Sequence, residues 1–196
     1  MRVRRVCVFA GSSVGGDAAY KRVAIALAGA LADRGLELVY GGGCIGLMGV
    51  LADAMLARGG RVIGVIPETL RAREVGHRGL TELKVVDSMH ERKATMAALS
   101  DGFIALPGGF GTLEEMFEVL TWAQLGLHAH PCGLLNVAGY FDALLAFIEH
   151  ARGEAFVRAE HGAMLLVDED PARLLDRFAA YRAPAAQQWL QRSAQT

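Results

Sequence analysis

Residues 3–46, VRRVCVFAGSSVGGDAAYKRVAIALAGALADRGLELVYGGGCIG, contain the unit from which the chain is built. An apolar run, Val3–Phe9, breaks at Gly11-Ser12-Ser13, and residues 17–34 then carry apolar positions at helical spacing. A second apolar run, Leu36–Tyr40, breaks at Gly41–Gly46. Both runs are nearly continuous in apolar residues instead of alternating, the pattern of strands covered on both faces. The same unit recurs outward along the chain. Further strand-like runs are Arg61–Ile66, Leu83–Val86, Gly102–Leu106, Cys132–Val137 and Met164–Val167. Helical stretches fall near 46–58, 89–100, 112–126, 140–151 and 171–182. Strand–helix alternation of this kind predicts an α/β fold of three layers, a doubly wound parallel sheet with right-handed crossovers.

Helix starts carry their own signals. Ser88-Met-His-Glu91 and Thr112-Leu-Glu-Glu115 both fit a capping box. Asp170-Pro171 puts a capping carboxylate before a proline in the first turn. At 196 residues the chain suits one domain. We expect it to span 1–183, followed by a polar tail, 184–196, with an apolar anchor at Trp189-Leu190. The one candidate linker, Pro67–Thr81, is rich in Arg and Glu and reads equally as a loop over a site.

Composition removes several function classes. With 53% hydrophobic and 21% charged residues the chain is not a disordered one. Its 20 basic and 21 acidic side chains leave a net charge of −1, so no basic footprint for nucleic acid is evident. Arg2, Arg4 and Arg5 precede an apolar run, but Val6–Ala10 is shorter than a signal peptide's core and reads as a first strand. No run approaches the roughly 18 apolar residues of a membrane span. Cys7, Cys44 and Cys132 are too scattered for a disulfide framework or a metal knuckle, which suits a reducing cytoplasm.

The 24 glycines are the main functional clue, about one residue in eight against an ordinary ~7%. They gather after strands: Gly11-Ser12-Ser13, Gly41–Gly46 and Pro107-Gly108-Gly109-Phe110-Gly111-Thr112. In open α/β sheets ligands bind beyond the carboxyl ends of strands, where turns and helix N-termini present N–H groups to anions. Three such loops on one edge point to a phosphate-bearing ligand. The second loop also spells GxGxxG, with Glu68 after the next strand, the outline of a dinucleotide fingerprint. It follows the second strand instead of the first, however, and no GK[ST] element exists for a P-loop.

Charge patterns beside these loops break local rules. Arg92 and Lys93 stand in the first turns of a helix, where cations oppose its dipole. Arg92 could simply pair with Glu91, Glu115 or a neighbouring helix. Glu115 would sit beside any anion held by the third loop, unless it merely caps Thr112; Glu114 reads as an exposed first-turn acid. His90 suits a hydrogen-bond partner, His128 and His130 a surface loop, and Met89, Met96, Met116 and Trp122 core positions.

Met89-His90-Glu91-Arg92-Lys93 followed by Pro107-Gly108-Gly109-Phe110-Gly111-Thr112-Leu113-Glu114-Glu115 resembles the LONELY GUY (LOG) family, and the likeness runs from about residue 3 to 180. Phe9–Ser13 and Tyr40–Gly43 with Gly46–Gly49 extend it. Family members are cytokinin riboside 5′-monophosphate phosphoribohydrolases, often labelled lysine decarboxylases. The resemblance implies a Rossmann-like homodimer cleaving the N-glycosidic bond of AMP or N6-substituted AMP, with neither metal nor organic cofactor. It makes Arg92 and Glu115 catalytic. It assigns substrate binding to Lys93 and the loop Gly108, Gly109, Phe110, Gly111, Thr112, Leu113 and Glu114. Gly11, Ser12, Gly42 and Gly43 join them, with Glu74 and Thr121 as looser matches. A pyridoxal-dependent decarboxylase would need a Schiff-base lysine. Of Lys21, Lys84 and Lys93, only the last lies near a phosphate loop. The rivals are a non-catalytic nucleotide carrier or sensor using the same loops, and a dinucleotide oxidoreductase built on Gly41–Gly46.

Overall fold

The computed structural model describes residues 3–71 and 76–184. Seven strands form one parallel sheet: β1 (Arg5–Phe9), β2 (Glu37–Tyr40), β3 (Val62–Pro67), β4 (Glu82–Val86), β5 (Phe103–Ala105), β6 (Cys132–Leu135) and β7 (Leu165–Asp168). Every predicted strand is present, with ends differing by one or two residues, as fraying elements do. Their order is β4-β3-β2-β1-β5-β6-β7. Val8 of β1 stands between Tyr40 on one side and Ile104 on the other.

Among the described residues eight α-helices accompany the strands: α1 (Ala18–Asp33), α2 (Gly46–Ala57), the single turn α3 (Glu68–Leu70), α4 (Met89–Ala98), α5 (Phe110–Gln124), α6 (Asp142–Gly153), the short α7 (Ala159–Gly162) and, after β7, α8 (Pro171–Ala180). The alternate residues of β1 explain the layering. Val6 and Val8 face a cluster with Leu27 and Leu31 of α1, Leu51 and Met55 of α2, and Leu174 and Phe178 of α8. Cys7 and Phe9 face the other cluster, with Met96 of α4 and Met116 and Val119 of α5. Both faces are therefore apolar, which is why the strands carry no polar alternation.

Two of the three expected caps form. Ser88 accepts from Glu91 N at 3.1 Å, although the Glu91 carboxylate reaches back to Asp87 N (2.9 Å) instead of Ser88. Asp170 accepts from Arg173 N at 2.8 Å, with Pro171 in the first turn. The third is corrected: α5 begins at Phe110, two residues early, with Gly109 as its cap and no side-chain capping bond. Thr112 is thus inside the helix and Glu115 does not cap it. Met89 is likewise half exposed instead of core, while Met96 and Met116 are buried.

Pro67–Thr81 joins adjacent strands of one sheet, so it is a crossover and not a linker between domains. Its described residues include α3 and an antiparallel bridge between Gly43 and Gly76. Glu74, Trp189 and Leu190 lie outside the described residues.

The loops after β1 and β2 interlock. Leu47 N donates to Gly11 O at 3.0 Å, and a Cβ on Gly46 would stand 2.2 Å from the Ser12 carbonyl carbon. Gly46 also has φ +61°, a region side chains disfavour. Gly46→Ala should therefore lower unfolding free energy by about 2–4 kcal/mol. Gly35→Ala, at a similar φ of +63° but with open space around it, should cost only about 1–2 kcal/mol. Denaturant titration of the two variants checks the difference; equal losses would mean that the interlock contributes nothing.

Candidate active site

The sheet order places a switch point at β1, where the chain winds away through β2 and returns at β5. Ligands bind at such points because adjacent loops diverge and leave a crevice. Here Gly11 N donates to Pro107 O (3.1 Å), drawing the first and third glycine loops together. Between them lies a cavity of about 270 Å³, whose walls include Gly11, Ser12, Tyr20, Gly108, Gly109 and Tyr140.

The third loop opens α5. Its first intrahelical bond runs from Leu113 N to Gly109 O (3.1 Å), so the N–H groups of Gly109, Phe110, Gly111 and Thr112 have no acceptor within the helix. Together with the dipole they form an anion site. Phe110 is almost fully exposed at the rim, whereas Thr112 is buried and Leu113 packs on the core.

One helical turn further on, Glu115 turns inward. It meets Arg92 of α4, with Nη2 and Oε1 at 3.5 Å and both residues only 9% exposed. The approach depends on Gly41 at the end of β2, because a Cβ there would stand 2.0 Å from Arg92 Nη2. Burial raises the Glu115 carboxyl above its ordinary value, and the Arg92 charge offsets part of that rise. Arg92 Nε and Glu115 Oε1 are buried without a hydrogen-bond partner among the described residues. Two adjacent charged groups with unused hydrogen-bonding capacity are costly to the fold and suited to a polar ligand.

Lys93, the next residue of α4, points instead to the flank of α5. Its ammonium pairs with Glu114 and lies 3.0 Å from Glu118, and the bond to Glu114 raises its pKa. Glu114 is thus a lysine partner, and the lysine ties α4 to α5 beside the Arg92–Glu115 contact. No motif marks Glu118 in the sequence, although its spacing of four from Glu114 places both on one helix face.

The remaining expected residues lie elsewhere. Gly42 and Gly43 serve the fold: Gly42 O accepts from His77 N (2.9 Å) and Gly43 O from Tyr40 Oη (3.1 Å). Neither lines the cavity at the switch point. Thr121 is about 9 Å along α5 from Glu115 by helical rise. It borders a smaller cleft of about 120 Å³ with Phe117, Ile148 and Val157. Glu68, the candidate ribose ligand of the dinucleotide reading, is exposed and paired with Arg71 at 2.8 Å. His128 and His130 are half-buried and stack 5.2 Å apart, with His128 Nε2 bonded to Val119 O. No cluster of three or more metal-ligating side chains is found among the described residues. No helix among them is long and apolar enough to cross a membrane.

Solved structures of similar shape include a molybdenum cofactor binding protein from Rippkaea orientalis, with TM-score 0.68 and 20% identity, covering 92% of this chain and 98% of that one. The molybdenum cofactor carrier protein of Chlamydomonas reinhardtii gives 0.67 at 20% identity, covering 92% and 100%. At that identity the likeness is one of fold. Sequence similarity reaches further. Cytokinin riboside 5′-monophosphate phosphoribohydrolase LOG1 of Arabidopsis thaliana is 55% identical over 156 residues, 80% of this chain and 73% of that protein. A rice relative named as a probable enzyme of the same activity, LOGL9, is 51% identical over 180 residues, 92% and 79%. Residues 48–178 match the family profile described as "Possible lysine decarboxylase". On those matches and the loop pair at its switch point, the chain belongs to the LOG family.

Proposed function

We propose that this protein hydrolyses the N-glycosidic bond of AMP and N6-substituted AMP, releasing the free base and ribose 5-phosphate. The observation that carries the reading is the buried Arg92–Glu115 pair one turn inside an anion-binding helix start. Relatives 51–55% identical are named cytokinin riboside 5′-monophosphate phosphoribohydrolases, which supports the N6-substituted part of this reading.

The chemistry suits those groups. Cleavage passes through an oxocarbenium-like transition state, positive at the anomeric carbon. The Glu115 carboxylate stabilises that charge and orients or deprotonates the attacking water. Net, the hydroxyl of water goes to the sugar and its proton to the departing base. Amides of Gly109–Thr112 grip the 5′-phosphate, using a non-reacting group to fix the sugar against Glu115. Gly11, Ser12 and Gly108 shape the adjoining wall, and Lys93 holds the two helices in register. Arg92, a donor only, orients Glu115 and faces the sugar or phosphate.

The same reading makes the protein a cytoplasmic homodimer. Cys7 and Cys132 are buried thiols, at home in a reducing compartment. Helix α6 buries none of its residues, and Phe147 is 63% exposed on it, an apolar face suited to a second copy.

Incubating the protein with AMP or N6-isopentenyl-AMP and separating the products should reveal free base. Glu115→Gln should reduce its release by about 10²–10⁴-fold. Turnover by the variant at the wild-type rate would refute the assignment. Failure of the wild type to release base while still binding nucleotide would favour the carrier.

Glu115 must be ionised to act, so the acid limb of kcat/KM should lie above the ordinary glutamate value of 4.5. A pH–rate profile flat down to 4.5 would contradict this. The sign for stability is opposite. Between 4.5 and the raised value the native state binds more protons than the unfolded chain, so this group's contribution falls as pH rises through that window. Gln imitates the protonated carboxyl, so Glu115→Gln should melt no lower than wild type at pH 7. A lower melting temperature would show that the ionised pair stabilises the fold.

A further inference from the structure

The cavity at the switch point has a wall that none of the assigned residues explains. Strand β6 ends in the turn Val137–Gly139, where Ala138 adopts φ +51°, ψ +31° and Gly139 φ +67°. A non-glycine residue held there is strained, and such strain persists only where surrounding contacts impose it. Those contacts are visible. Asn136 is buried, its side-chain amide donating to Asp142 Oδ1 and its carbonyl oxygen accepting from Phe141 N, both at 2.7 Å. Its own N–H donates to Asp168 O at 2.9 Å, tying the turn to β7. The turn projects Tyr140 across the sheet edge. The Tyr140 ring meets Tyr20 edge-on at 5.5 Å and Phe141 at 4.9 Å. Its hydroxyl donates to Gly108 O at 2.6 Å, thirty-two residues earlier in the chain.

That carbonyl lies just before the helix cap and receives no bond from α5, whose first acceptor is Gly109 O. A trans peptide is planar, with its C=O and N–H pointing in opposite directions. Fixing the Gly108 carbonyl therefore fixes the Gly109 N–H, the leading donor of the anion site.

We propose that Tyr140 is a positioning residue for the phosphate loop: its hydroxyl holds the Gly108–Gly109 peptide so that Gly109 N–H faces the 5′-phosphate of the substrate. The strained turn at Ala138 and the Asn136–Asp142 bond exist to deliver that hydroxyl. The inference rests on the reading that Gly109–Thr112 takes the phosphate, and it specifies what holds that loop ready.

Tyr140→Phe removes the hydroxyl while keeping the ring on Tyr20 and Phe141. Calorimetry with ribose 5-phosphate should give a Kd three- to tenfold higher than wild type, the range expected for one lost hydrogen bond. KM for AMP should rise by the same factor, with kcat within twofold and a melting temperature lowered by no more than the few degrees that one hydrogen bond is worth. General loosening of the fold would instead lower kcat and the melting temperature together, and that pattern overturns the proposal. So does a change in Kd of less than threefold, or a wild type that does not bind ribose 5-phosphate. Binding is read without turnover. If the threefold difference holds while wild type releases no base from AMP, the hydrolase reading fails and the role of Tyr140 stands.

Discussion

The contact on which the site depends is the one between Arg92 and Glu115, and it exists because residue 41 has no side chain. The guanidinium occupies the space that a Cβ on Gly41 would fill, at the carboxyl end of β2. From there it reaches a carboxylate delivered by a different helix across the central strand. Such an arrangement is expensive for stability. Both groups lose solvent, their separation of 3.5 Å is long for a hydrogen bond, and an atom of each has no hydrogen-bond partner among the described residues. Lys93, anchored on Glu114 and Glu118, keeps α4 and α5 in the register that holds the pair together.

Around this pair the fold supplies polarity in a particular order. The α5 N-terminus offers N–H groups to an anion, and one turn later Glu115 offers negative charge. Phosphate and carboxylate would repel each other in isolation. Spacing them along a helix lets the dipole favour the first while burial and Arg92 govern the second. A nucleotide has the matching distribution, with a phosphate at one end of the ribose and a carbon that becomes positive at the other. A fold of the same shape occurs in a molybdenum cofactor binding protein and in a molybdenum cofactor carrier protein, so the architecture alone does not assign a function. That decision belongs to the side chains.

Much of this was legible in the sequence because it is local. Continuous apolar runs such as Val62–Ile66 announced strands buried on both faces, and glycine-rich turns after them announced the ligand edge. Arg92 stands out because it opposes a helix dipole, a cost that asks for a partner. The start of α5 is not legible in the same way, because Thr112 and Glu115 imitate a capping box. The backbone of Gly109 begins the helix instead, which frees the Glu115 side chain for Arg92. Glu118, Asn136 and Tyr140 carry no local signal, for another reason. Each acts across the fold, through Lys93, Asp142 and Gly108 respectively, and no local pattern marks such contacts. Glu74, by contrast, lies outside the described residues, so its part in the site rests on resemblance.

The account's central claim is that the empty space at residue 41 lets Arg92 reach Glu115 and so makes the carboxylate competent. Its most direct test is the turnover of AMP by Gly41→Ala, with folding verified by circular dichroism. Displacing the guanidinium by an ångström or more should reduce kcat/KM by at least about 10²-fold, the scale of such misplacements. A folded Gly41→Ala protein that turns over AMP at the wild-type rate would show that the chemistry does not depend on the space at residue 41.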